Sequence, residues 1–170
     1  MRRRLLHGGI AGAPVVLTLV SRPVLGSVGC TPCSAYGSLG GSLATKNLTS
    51  CSGISPTAWV SLATWPTPYY PNGQDATLYH CPTTGLSGST FSTNTLRHVM
   101  NLSDDGSIRT LGRYIAAALL NAKSGKTATL TETTVRQMWN DVMATGSFEP
   151  TAGVSWGPSQ IVAYIKSTIG

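Results

Sequence analysis

The sequence predicts a mainly α protein, in which a small core of three to four helices follows an irregular N-terminal segment rich in glycine, serine and proline. Two observations support this fold class. Three stretches in the second half of the chain repeat apolar residues at helical spacing, each between clear start and stop signals. No long run alternates apolar and polar residues as a half-buried strand does.

Residues 1–26 have the organisation of a bacterial signal peptide. The basic stretch 2–4 precedes an apolar run over 8–20, which is too short to span a bilayer. Residues 21–23 then interrupt the run, and 24–26 have the small-residue pattern of a cleavage site. We therefore expect a periplasmic, cell-surface or extracellular protein, whose mature chain has no membrane span.

The pair Arg2 and Arg3, followed by Leu5 and Leu6, is typical of a twin-arginine signal, which the export machinery reads as an address. Under the alternative, the general secretory route, these arginines are only the basic start of the signal. The twin-arginine route moves folded chains, whereas disulfides form outside the reducing cytosol. Either the helical half folds before its cystines form, or the general route is used.

Removal of the signal changes the charge of the protein. The signal carries four of the twelve basic residues and none of the six acidic ones, so the mature chain has a net charge of +2 instead of +6. A nucleic-acid partner needs a basic stripe or patch, and the remaining scattered cations do not form one. We therefore expect no nucleic-acid partner. By length, residues 27–170 form one compact domain.

All four cysteines, Cys30, Cys33, Cys51 and Cys81, lie in the loop-rich segment 27–92. An even number in an exported protein predicts disulfides, here two, and three pairings are open. Cys30 and Cys33 have the C-x-x-C spacing of redox motifs. Their flanks, a cleavage site and a Gly/Ser stretch, are not the strand and helix that such a motif needs. No metal site or cofactor is predicted.

One short helix is expected within the loop-rich segment. Ser55 can cap it, Pro56 suits its first position, and residues 57–63 continue it until Pro66. A second short turn is expected over 75–80.

Four aromatic residues near three prolines form the most distinctive stretch: Trp59, Trp65, Tyr69 and Tyr70. As an exposed platform they would stack on sugar rings or peptides. In the alternative interpretation, which we favour, Trp59 and Trp65 fill the core and Tyr69 and Tyr70 are the exposed pair.

The helical segment 93–170 begins with a short candidate over 93–101. Ser107 then caps a helix that ends at Gly125, Thr131 opens one that ends at Gly146, and the pair at 157–158 starts the last. The apolar faces of the three long helices are Ile108, Leu111, Ile115, Ala118, Leu119 and Ala122; Val135, Met138, Trp139, Val142 and Met143; and Ile161, Val162, Ile165 and Ile169.

No catalytic residue is predicted. The mature chain has two histidines, His80 and His98, and no Gly-x-Ser-x-Gly elbow. Of the six carboxylates, Asp104, Asp105 and Glu132 sit where acids favour helix N-termini, which leaves little for a two-carboxylate site.

Three stretches carry a resemblance to a known group of proteins: Arg22-Pro23-Val24-Leu25, the Cys-Ser-Gly-x-x-Pro-x-x-Trp element at 51–59, and the helical run 111–122. Together with Trp156 and the closing 161–165, they resemble small exported proteobacterial proteins of uncharacterised function. Some of these carry Lys, Asn and His where this chain has Val60, Ser61 and Leu62. The resemblance implies export and no particular activity.

Three hypotheses about function remain. The first is a structural or interaction protein at the cell surface or in the extracellular matrix, with a surface protein or polysaccharide as partner. The alternative is a soluble carbohydrate- or peptide-binding module that uses the aromatic segment from Trp59 to Tyr70. A small secreted hydrolase is the third.

Overall fold

A computed structural model describes residues 52–127 and 130–170 of the chain. The predicted signal peptide, with Arg2, Arg3, Leu5 and Leu6, lies outside the described residues. So do Cys30, Cys33 and Cys51, and with them the predicted disulfides. Among the described residues, no helix has the length and hydrophobicity to cross a bilayer.

The described part of the chain is mainly α, as predicted. Its elements are α1 (Pro56–Ser61), α2 (Leu96–Met100), α3 (Ile108–Lys123), α4 (Glu132–Thr145), β1 (Phe148–Thr151), β2 (Val154–Trp156) and α5 (Pro158–Ser167). Helix α3 is at the centre and packs against all four other helices.

The predicted starts of α1, α3, α4 and α5 agree with the structure. The Ser55 hydroxyl accepts a hydrogen bond from Ala58 N at the start of α1, and Thr131 accepts one from Thr134 N at the start of α4. Helix α2 begins later than expected, because Thr95 and not residue 93 provides its cap by accepting from His98 N. The predicted apolar faces point inwards: Leu111, Ile115 and Leu119 of α3 are completely buried.

Two local features differ from the sequence prediction. Residues 148–156 form an antiparallel hairpin in which Phe148 pairs with Trp156 and Gly153 supplies a positive φ of 79° at the turn. Its strands of four and three residues are too short for an alternating pattern to reveal them. The turn expected over 75–80 is shorter, because Leu78 pairs with Thr95 in an isolated bridge.

A buried amide connects the N-terminal end of the described chain to α3. Asn121 has no exposed surface, and its Oδ1 accepts hydrogen bonds from Ile54 N at 2.8 Å and from Trp59 Nε1 at 3.0 Å. Its Nδ2 donates to the Ile54 carbonyl at 2.9 Å. Gly53 lies so close to the last turn of the chain that a Cβ there would be 2.5 Å from the Thr168 carbonyl oxygen.

An aromatic cluster fills the space between α3, α4 and the preceding loop. Tyr79 makes edge contacts with Phe91 and Trp139, at ring-centroid distances of 4.9 and 5.0 Å. The Tyr79 hydroxyl donates to the Gly112 carbonyl, and its burial raises the pKa of Tyr79. Phe91 packs directly on Gly112, which makes room for the ring.

Candidate functional site

The two tryptophans of the aromatic segment are placed by the fold. Trp59 is only 3% exposed, because its ring enters the core and its indole N–H is held by Asn121. Trp65 is half-buried, and its Nε1 donates to the Trp59 carbonyl at 3.0 Å. Both therefore follow the interpretation in which they pack inwards.

The expectation that Tyr69 is exposed is wrong. Its side chain is 1% exposed, and its hydroxyl donates to Glu132 Oε2 at 2.7 Å, while Arg136 Nη2 donates to the Tyr69 oxygen at 3.3 Å. Burial, followed by the hydrogen bond to Glu132, raises the pKa of Tyr69. Tyr69 N donates to the Pro66 carbonyl in a backbone turn, and the side chain reaches Glu132 and Arg136 of α4. Tyr70, in contrast, is 47% exposed, as predicted.

Large apolar side chains are exposed around this segment. Leu62, Tyr70 and Leu78 are 39%, 47% and 41% exposed, and we call them, together with the half-buried Trp65, the apolar face. Sequence reasoning missed Leu62 and Leu78. For Leu78 a weak signal existed, because it lies between Thr77 and Tyr79 in an extended stretch and must point the opposite way if they are buried.

Hydrogen bonds and a β-bridge connect the segments that carry Tyr70 and Leu78. Tyr70 and Thr77 exchange two hydrogen bonds, Tyr70 N to Thr77 Oγ1 at 2.8 Å and Thr77 N to the Tyr70 carbonyl at 3.0 Å. Leu78 follows directly and pairs with Thr95, which caps α2. The start of α2 therefore lies beside Leu78, and Tyr70 is connected to it through Thr77.

Arg97, in that first turn of α2, joins the other half of the apolar face. Its Nη2 donates to the Leu62 carbonyl at 2.8 Å, and its guanidinium carbon lies 5.9 Å from the centre of the Trp65 ring. This distance is within the range of a cation–π contact. Its Nε is buried and has no hydrogen-bond partner among the described residues.

Neither histidine is arranged as a general base. His80 Nδ1 lies 2.9 Å from the Leu86 carbonyl, and its Nε2 accepts from Phe91 N at 3.4 Å, so backbone groups engage both ring nitrogens. This pattern fits the tautomer protonated on Nδ1. His98 is exposed on α2.

Three of the six carboxylates are engaged in ion pairs or hydrogen bonds within the fold. Glu132 is paired with Arg136 at 3.0 Å and Lys123 at 3.5 Å, and Asp104 is paired with Lys166 at 3.3 Å. Asp105 accepts from the side chain and the backbone of Ser107, and these bonds lower the pKa of Asp105.

Two other carboxylates share a cleft. Asp141 and Glu149 line a space of about 310 Å³ together with Thr145 and Ser147. Within residues 52–127 and 130–170, no side chain or backbone group donates to either carboxylate, so nothing there orients them as an acid and a base. In the same ranges, no cluster of three or more His, Cys, Asp or Glu residues could hold a metal ion.

Cys81 is half-buried beside the apolar face. Its Sγ donates to the carbonyl of Leu78 at 3.2 Å, and its backbone N–H donates to Thr84 Oγ1 at 3.3 Å. The thiol therefore lies next to an exposed member of that face.

Together these features define a small, mainly α domain in which His80 and three of the six carboxylates are bound by other groups of the fold. Leu62, Tyr70 and Leu78 expose apolar side chains on segments that are linked through α2 and Thr77. No family model, curated protein or solved structure matches this chain.

Proposed function

We propose that this chain is an exported interaction protein that binds a protein partner through the apolar face. The observation that carries the proposal is the exposure of Leu62, Tyr70 and Leu78 on adjoining segments. Contiguous exposed apolar side chains are typical of surfaces that bind other proteins. Large aromatic and apolar residues at such positions commonly supply most of the binding energy.

Export is supported by the signal organisation of residues 1–26, with Arg2, Arg3, Leu5 and Leu6 as the address that the export machinery reads. The proposed location is the periplasm, the cell surface or the extracellular space. Four cysteines in the mature chain suit that compartment, where they would form two disulfides within the loop-rich segment 27–92.

A flat sugar-binding platform has less support than a protein-binding face. Trp59 and Tyr69 are buried, and Trp65 is partly covered by Arg97, so Tyr70 is the one aromatic of the segment with a well-exposed ring. Leu62 and Leu78, the exposed leucines of the apolar face, suit apolar side chains of a protein better than the hydroxyl-rich edge of a sugar.

Photo-cross-linking in the native host tests the proposed face. A photoreactive phenylalanine analogue at position 78 is expected to give a discrete adduct with another protein. The same analogue at position 154 is a matched control, because Val154 is 44% exposed on the hairpin and lies outside the apolar face. Equal adducts from both positions, or none from position 78, would contradict the proposed face.

A further inference from the structure

Arg97 carries a positive charge that the described residues leave without a counter-ion. No carboxylate of residues 52–127 or 130–170 lies within 4.0 Å of it, since the ion pairs there use Lys123, Arg136 and Lys166. Of its N–H groups, one on Nη2 donates to the Leu62 carbonyl and the Nε–H has no partner. A guanidinium has five donors, so most of its capacity is unused.

Arg136 is an arginine of the same protein whose guanidinium is paired with a carboxylate, and it can be compared with Arg97. It is also half-buried, yet it bonds the Glu132 carboxylate at 3.0 Å and the Thr84 carbonyl at 2.7 Å. Arg97 has a comparable burial without the carboxylate. A partly dehydrated charge is costly unless it is paired, so a carboxylate brought to Arg97 gains more than one brought to an exposed arginine.

The neighbours of Arg97 strengthen such a pair. Leu62, Trp65 and Leu78 border the guanidinium or the first turn of α2, and an occupant that covers them also removes water from the ion pair. Excluding water lowers the effective dielectric constant and strengthens the attraction.

We infer that the apolar face recognises an acidic segment of the partner protein. In this proposal an Asp or Glu carboxylate binds the Arg97 guanidinium, and apolar side chains beside it pack on Leu62, Tyr70 and Leu78. The inference rests on the proposed function and specifies the chemistry of the partner.

Two other occupants fit the charge less well. The chain's own segment 27–51 contains Lys46 and no acidic residue, so it has no side-chain carboxylate to offer. In a two-fold symmetric dimer each patch meets its own copy, which would bring one Arg97 towards the other. An acidic segment of a different protein has neither disadvantage.

The test uses the protein as recovered from its native host and three labelled twelve-residue peptides that alternate leucine with glutamate, glutamine or lysine. Affinities are measured by fluorescence polarisation, and binding is located by amide shifts in NMR spectra. The glutamate peptide is expected to bind at the apolar face roughly tenfold more tightly than the glutamine peptide, as the loss of one charged hydrogen-bonded pair implies. The lysine peptide is expected to bind most weakly.

Matched variants assign the effect to Arg97. R97Q is expected to remove the preference for glutamate over glutamine. Because Arg97 also contacts Leu62 and Trp65, the readout is the ratio of the two peptide affinities and not either affinity alone. R109Q removes the same charge from an exposed arginine of α3 and is expected to change neither affinity. In the unaltered protein, added salt should weaken the glutamate peptide more than the glutamine peptide, which tests the ion pair without any substitution.

Several outcomes would overturn the inference. These are equal affinities for the glutamate and glutamine peptides, an equal loss in R109Q, tighter binding of a uronate oligosaccharide, or self-association through the apolar face. If the glutamate preference is absent but position 78 still gives its discrete adduct, the acidic recognition is wrong and the proposed function stands. If the adduct is also absent, both are wrong.

Discussion

Replacing Asn121 with alanine is expected to lower the free energy of unfolding by about 3 kcal/mol or more, because it leaves three groups without their partner. The groups are the N–H and the carbonyl of Ile54 and the indole N–H of Trp59. Asn121 itself has no exposed surface, so water does not easily replace the lost bonds. Denaturation in guanidinium chloride, followed by circular dichroism, measures the change.

Asn140 provides a matched control for this prediction. It makes a similar set of hydrogen bonds, accepting from Ser87 N and Ser87 Oγ and donating to the Gly85 carbonyl, but near the surface. Asn140→Ala is expected to cost roughly 1 kcal/mol, since water can take over these bonds. Equal losses for the two variants would contradict the role assigned to Asn121.

Replacing Gly112 with alanine is expected to destabilise the protein by about 1–3 kcal/mol, as overpacking of a core does. Within a helix this change normally stabilises by roughly 0.5–1 kcal/mol, so the prediction is opposite in sign to the helix propensity. The cause is steric: a Cβ on Gly112 would overlap Phe91 Cε2 and lie 3.0 Å from Phe91 Cζ. Unfolding curves of the variant measure the effect.

A double-mutant cycle connects the effect to Phe91. Phe91→Leu shortens the opposing ring, so Gly112→Ala should cost clearly less in that background than in the unaltered protein. Phe91→Leu alone is expected to destabilise, because the ring also contacts Tyr79 and Trp139. A cost that is the same in both backgrounds would show that the glycine is needed for another reason.

Local signals predicted the helices well. The caps at Ser55, Ser107 and Thr131 lie where the sequence placed them, because a cap is read from residues within one turn. The apolar faces of α3, α4 and α5 also follow from spacing alone. The hairpin was missed because its strands are shorter than the periodicity needed to recognise them.

Partners distant in sequence account for what could not be predicted. The hydroxyl of the buried Tyr69 is bonded to Glu132, and the indole of Trp59 is held by Asn121, contacts that span 63 and 62 residues. The sequence does not distinguish Arg97 from the other arginines, because only the fold shows that no described carboxylate pairs with it. These contacts form only in the folded protein, and neither composition nor the spacing of neighbouring residues predicts them.

Two of the stretches that carry the family resemblance meet in the structure. The element that ends at Trp59 and the run that ends at Ala122 are joined by the hydrogen bonds of Asn121. Gly53 and Gly112 within them make close packing room for Thr168 and Phe91. These stretches therefore have a structural role in the described chain, whereas the apolar face lies beside them. The family membership itself stays a prediction.

Intact-mass analysis of the protein recovered from its native host, before and after reduction with alkylation, tests the claim of export most directly. We expect a chain that starts near Ser27 and releases four thiols only on reduction, which would establish an exported domain with two cystines. A full-length mass with four thiols already free would contradict export, and would turn attention to metal binding or redox chemistry at Cys30 and Cys33.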